Sequence, residues 1–82
     1  MKIAKRKNLE IELKAYIHCK GNCRYIYEKD INDVAVDLLS KYCNIYCQTF
    51  TDKGELLFNI VSSATHKTLF SVSVLQNEEE GV

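Results

Sequence analysis

Residues 9–19 read Leu9-Glu10-Ile11-Glu12-Leu13-Lys14-Ala15-Tyr16-Ile17-His18-Cys19, apolar and polar in unbroken alternation. Leu9, Ile11, Leu13, Ala15, Ile17 and Cys19 share one face of that pattern; Glu10, Glu12, Lys14, Tyr16 and His18 share the other. A period of two over this span predicts a half-buried strand. Lys20-Gly21-Asn22 follows as a turn signal, and Cys23 to Glu28 returns as a second strand. Two registers compete. A two-residue Gly21-Asn22 loop pairs Ile17 with Ile26, whereas a three-residue loop sets Cys19 opposite Cys23. A slip of one residue exchanges the tyrosines that face the core.

Downstream of the hairpin the period changes. Asp30 precedes Ile31 as an N-cap, and Asp33 falls in the first turn, where the helix dipole favours an anion. Val34, Ala35, Leu38, Leu39 and Tyr42 keep helical spacing, with Asp37 and Lys41 four apart on the wet side. Asn44 tolerates a left-handed stop. A helix of about thirteen residues is short, so it must draw its stability from docking that apolar stripe.

Ile45 to Thr51 is β-branched and aromatic and reads as a strand. Asp52-Lys53-Gly54 reads as a three-residue hairpin loop with Gly54 at the positive-φ position. Glu55 to Ser63 is the next strand, Thr65-His66-Lys67 a turn, and Thr68 to Gln76 the last strand. Pairing Thr51 with Glu55 puts Tyr46, Phe50, Leu56, Phe58, Ile60, Phe70, Val72 and Val74 on one face. The other face then carries Ile45, Leu57, Val61, Leu69 and Leu75. The expected fold class is α+β: a single, mostly antiparallel five-stranded sheet with one helix packed on one face, in the order ββαβββ. Residues 1–8 read as a basic N-terminal arm, 9–76 as the domain, and 77–82, with Glu78-Glu79-Glu80, as an acidic tail.

Composition narrows the function. Eleven basic and eleven acidic residues in 82 cancel to zero, whereas nucleic-acid-binding domains usually have a pI above about 9. Apolar runs are too short for a membrane span, and no apolar stretch follows the N-terminal lysines as in a signal peptide. Lys, Asn, Ile and Tyr supply 27 residues and Gly, Ala, Arg and Pro nine, a skew typical of AT-rich genomes. Low-GC bacteria, their phages and their mobile elements share it. Four cysteines without an export signal read as reduced thiols in a cytoplasmic protein.

Candidate chemistry is sparse. Cys19 and Cys23, with Cys43 and Cys47, form two short-spaced pairs that could supply four zinc ligands. The intervening gap is long for a finger and the thiols scatter among faces, so packed or surface thiols are the default and no cofactor is expected. His18 and His66 have no evident nucleophile beside them, and Asp30, Asp33 and Asp37 fit ordinary helix capping. The isolated glycines form no phosphate cradle. These features point away from an enzyme.

Two binding readings remain. The leading one is a small protein-interaction module of inhibitor or adaptor type, anchored by Ile45, Leu57, Val61, Leu69 and Leu75, or pairing through the fifth strand as a homodimer. The other is nucleic-acid binding by Lys2, Lys5, Arg6, Lys7, Lys20, Arg24 and Tyr25, with Lys14, Tyr16 and Tyr27 nearby. Seven of the eleven basic residues lie in the first 24 positions, although Glu10, Glu12 and Glu28 interrupt them.

Overall fold

The first half of the alternating stretch folds as a helix. In the structure, a computed structural model that describes residues 1–20 and 23–76, α1 spans Arg6–Leu13. Leu9 and Leu13 are fully buried, while Ile11 between them is 62% exposed. The physical reason lies in the spacing. Strict alternation also contains every i, i+4 pair, and four residues are about one helical turn. Leu, Glu and Lys are strong helix formers, so local propensity favours the helix where alternation alone cannot choose. The chain leaves α1 through a tight turn in which Tyr16 N and Ile17 N both donate to Leu13 O at 2.8 Å. Only His18–Lys20 remains as strand β1.

The chain continues as β2 (Cys23–Tyr27), a 3-10 turn (Glu28–Asp30), α2 (Ile31–Lys41), β3 (Ile45–Asp52), β4 (Glu55–Ser62) and β5 (Thr68–Leu75). The α+β class stands, but two helices replace the expected one. The strands lie in the order β1-β2-β5-β4-β3, with β2 and β5 parallel and the other neighbours antiparallel. The fifth strand, expected at an edge, is therefore central, and β1 and β3 are the edges. Lys20 pairs with Cys23 and His18 with Tyr25, which is the two-residue register of the first hairpin.

The β3–β4 register differs from the expected one by a single residue. Asp52 pairs with Glu55, so the loop is Lys53-Gly54 alone. Both residues have positive φ, 55° and 81°, the signature of a type I′ hairpin turn. The slip moves every β3 side chain to the opposite face. Ile45 is consequently 6% exposed in the core and Cys47 packs against it, while Tyr46 and Phe50 turn outward. On β4 and β5 the expected inner residues keep their side: Phe58 pairs with Val72 and Ile60 with Phe70.

Both helices cover the inner face of the sheet. Leu9 and Leu13 of α1 and Val34 and Leu38 of α2 join Ile26, Phe58, Ile60, Val72 and Val74 in one core. A polar clamp holds the helices to each other. Tyr16 donates its hydroxyl to Asp37, and Lys41 Nζ reaches Glu12 at 2.8 Å and Asp37 at 3.3 Å. The Glu12 hydrogen bond is the main cause that holds the Lys41 ammonium up at about 12, and the Tyr16 hydroxyl lowers the Asp37 carboxyl.

The expected basic arm is tied into this assembly. Lys2 N donates to Lys41 O and Cys43 N to Lys2 O, a parallel bridge between Lys2 and Tyr42. Ala4 is buried, and its N–H donates to Asn44 Oδ1 at 2.6 Å. Asn44 is not the expected left-handed stop: its φ is not positive, its side chain ties down Ala4, and Tyr42, in extended conformation, is the C-cap of α2. The expected acidic tail, 77–82, lies outside the described residues.

Candidate interaction face

With two helices on one side, the other side of the sheet carries no covering element among the described residues. Strand pairing aligns a continuous row across it: His18, Tyr25, Ser73, Leu57 and Phe50, one residue from each strand. A parallel row adds Tyr27 beside Leu75, and another places Ser71, Asn59 and Gln48 together. Phe50 is 41% exposed and Leu75 37%, while Tyr25, Tyr27 and Leu57 are half-buried.

The β1–β2 end of this face is aromatic. His18 stacks on Tyr25 with centroids 5.7 Å apart and lies 4.5 Å from Tyr27, and the two tyrosines meet edge to face at 5.3 Å. Such contacts fix the rings in place and leave their outer surfaces as rigid, amphipathic contact area. At the opposite end Tyr46 faces His66, hydroxyl to Nδ1 at 3.4 Å, and His66 holds a positive φ of 61°. Asn59 sits near the middle, 5% exposed, and its Oδ1 has no hydrogen-bond partner among the described residues. The charges among these rows are acidic: Glu55, which accepts the Ser73 hydroxyl, and Asp52 across from it.

The expected partner-binding residues divide on this geometry. Leu57 and Leu75 lie on the open face. Ile45 lies in the core because of the register slip. Leu69 packs against the core at the irregularity between Ile60 and Val61, where the strand fits in an extra residue. Val61 keeps outward parity beside Tyr46 but is only 3% exposed. Reading the face from sequence missed Tyr46 and Phe50 for the same one-residue reason, and Tyr27 because the β2–β5 contact joins distant segments.

The expected nucleic-acid set is split between the two sides of the sheet. Tyr25 is on the open face. Lys5 is the N-cap of α1, and Arg6 and Lys7 begin that helix on the covered side, where Arg6 pairs with Glu10 at 3.6 Å. Lys2 lies over the Tyr42 ring, 5.6 Å from its centroid. Arg24 alternates with Tyr25 and so shares the parity of Ile26. The side chain of Lys20 lies outside the described residues. Tyr16 serves the helix clamp. Among the described side chains of the set, Lys2, Lys5, Arg6 and Lys7 are thus not brought to Tyr25.

The cysteine set shows a similar division. Cys43 is exposed with its thiol 3.6 Å from Lys2 O, whereas Cys47 faces the core and burial pushes its thiol up to about 11. The side chains of Cys19 and Cys23 lie outside the described residues. Among the described residues, no three His, Cys, Asp or Glu side chains cluster as metal ligands. No described helix is long and apolar enough to cross a membrane. No protein family, curated protein or solved structure matches the chain.

Proposed function

We propose that this chain is a small, non-enzymatic cytoplasmic protein-binding module, of inhibitor or adaptor type, that engages a protein partner through the open sheet face. The observation that carries the reading is the row His18, Tyr25, Ser73, Leu57 and Phe50 across all five strands. Its rings and aliphatic groups are pre-ordered by the sheet, so little side-chain freedom is lost on contact. Tyrosine supplies contact area at low entropic cost and is enriched in binding hot spots. Asp52 and Glu55 at one end give a charged rim that would orient a partner carrying basic groups. The composition agrees with a source among phages or mobile elements of AT-rich hosts.

The nucleic-acid reading is second. It is weakened by the placement of Lys5, Arg6 and Lys7 on the helix side and by the acidic end of the open face, since phosphate contacts need cations beside the stacking rings.

The test is affinity capture from host cells with tagged wild type, Tyr25→Ala and Leu57→Lys. Loss of the same partner in both variants, with unchanged circular dichroism, is the expected result. A partner retained at full yield by both overturns the face assignment. Retention of single-stranded probes at low salt, abolished by Tyr25→Ala, would favour the second reading instead.

A further inference from the structure

The edge strand β3 offers a second surface, independent of what the open face binds. The two-residue turn makes Asp52 and Glu55 a hydrogen-bonded pair, so Phe50, Gln48 and Tyr46 turn their backbone groups towards β4. Ile45, Cys47, Thr49 and Thr51 must then turn theirs away from the sheet. Protein edges are ordinarily blunted by charge, proline or a bulge. β3 has none of these before Asp52, and its β4 pairing is regular over all eight residues.

The flank of α2 above this edge is also uncharged. Ile31, Asn32 and Ala35 line a groove of about 220 Å³ with Cys47, Thr49 and Phe58. Further round the helix on the same side stand Val36, 68% exposed, and Leu39, 40% exposed. The charged residues Asp37 and Lys41 turn the other way, into the clamp with α1. A strip without charge therefore runs from the helix flank across the groove to an open strand edge.

We propose that the occupant of this strip is a second copy of the chain, paired β3 to β3 in antiparallel fashion about a two-fold axis at Thr49. That register sets Cys47 of one copy opposite Thr51 of the other, and Gln48 opposite Phe50. Tyr46 meets Asp52, so no like charges face each other. The sheet continues across the dyad, and the two α2 flanks come side by side above it. An added peptide strand would satisfy the backbone groups of β3 but leave Val36 and Leu39 in water. A second copy covers both, because it brings its own helix at the same height. Isologous contacts set each patch against itself, so a self-pairing surface must lack uncompensated charge, as this strip does. An eight-residue edge is about 27 Å long, and a helix adds about 10 Å of height. The resulting wall is about 400 Å² on each copy, roughly half of the 800 Å² or so per partner in a standard interface, which places the dimer among the weaker, concentration-dependent ones.

Sedimentation equilibrium of the full chain in reducing buffer tests this. Wild type is expected at twice the 9.5 kDa chain mass. Thr49→Pro removes an outward N–H without touching the β4 ladder, and Val36→Glu places like charges at the dyad; each is expected to shift the protein to monomer with unchanged circular dichroism. If Thr49→Pro fails to fold, Val36→Glu alone decides. Thr49→Cys is expected to cross-link spontaneously as a dimer on mild oxidation, in a Cys43→Ser background. Wild type that stays monomeric up to millimolar concentration overturns the proposal. So does a dimer that survives Val36→Glu, and a dimer lost only with Leu57→Lys belongs to the open face.

Discussion

Replacing Leu13 by Ala tests the reading of α1 most directly, with Ile11→Ala as its internal control. Helix α1 has eight residues, too few for independent stability in water, so it persists only while its buried side chains dock. Leu9 and Leu13 are both fully buried one turn apart, and Ile11 is 62% exposed. Truncating a fully buried leucine costs about 2–5 kcal/mol, from lost transfer energy plus the cavity left behind. A chain of 82 residues has roughly 4–12 kcal/mol in total, so Leu13→Ala removes a large share of the margin. At this size that corresponds to a fall in Tm of at least about 8 °C. Ile11→Ala trades an exposed β-branched residue for the best helix former and should stay within about 0.5 kcal/mol of wild type. Urea unfolding followed by circular dichroism measures both. In an alternating strand Leu9, Ile11 and Leu13 would occupy equivalent positions. If Ile11→Ala destabilises as much as Leu13→Ala, the helical assignment and the core built on it are wrong.

Three further outcomes are expected. Lys53 holds φ of 55° beside Gly54 in the hairpin turn; Lys53→Asn, which tolerates that conformation better, should raise stability by about 0.5 kcal/mol. Gly54→Ala should lower it by about 1–2 kcal/mol from backbone strain alone, since nothing lies within 4 Å of the added methyl; equal melting curves for both variants would contradict the turn type. The helix clamp should show itself in pH titrations of stability. Lys41 is raised from 10.5 to about 12, so its contribution is whole below pH 10.5 and fades as pH rises through 12. Asp37 is lowered from 3.8, so its contribution holds above that pH and fades as pH falls below it. Lys41→Met should shrink the alkaline part of that profile without abolishing it, because the hydrogen bond to Asp37 raises the Tyr16 hydroxyl and burial raises that of Tyr42; an unchanged alkaline limb would mean that Lys41 contributes nothing to it. Peptide mapping after brief thiol labelling near neutral pH should find Cys43 modified well before Cys47, which is partly buried against the core and held at about 11. Equal labelling rates would place Cys47 outside the core.

The sequence revealed most of what local physics decides. Helix α2 was legible from its spacing and from the Asp37–Lys41 pair. The three long strands were legible from β-branched and aromatic runs. The α1 segment was not, because Leu9 and Leu13 satisfy the strand and the helix periods together, and only docking separates them. The β3 face was misread through one residue. A three-residue Asp52-Lys53-Gly54 loop needs positive φ at Gly54 alone, whereas Lys53 takes it too, and that single residue exchanges Ile45 and Cys47 for Tyr46 and Phe50. The open face could be anticipated in kind but only partly in membership. Its aromatic end depends on β2 lying beside β5, a contact between segments about half the chain apart that no local pattern encodes.

That contact has a consequence for how the molecule is made. The central strand β5 follows the other four strands in the chain, and it joins the β1–β2 hairpin to the β3–β4 pair. Until Thr68–Leu75 leaves the ribosome, the earlier strands form two separate pairs that share no ladder, and Ile26, Phe58 and Ile60 lack the strand that lies between them. The sheet therefore cannot close before β5 is available, and closure is slow for so small a domain, because its decisive pairing spans long loops. Nascent chains stalled before Phe70 should remain protease-sensitive throughout, with no half of the domain protected ahead of the other.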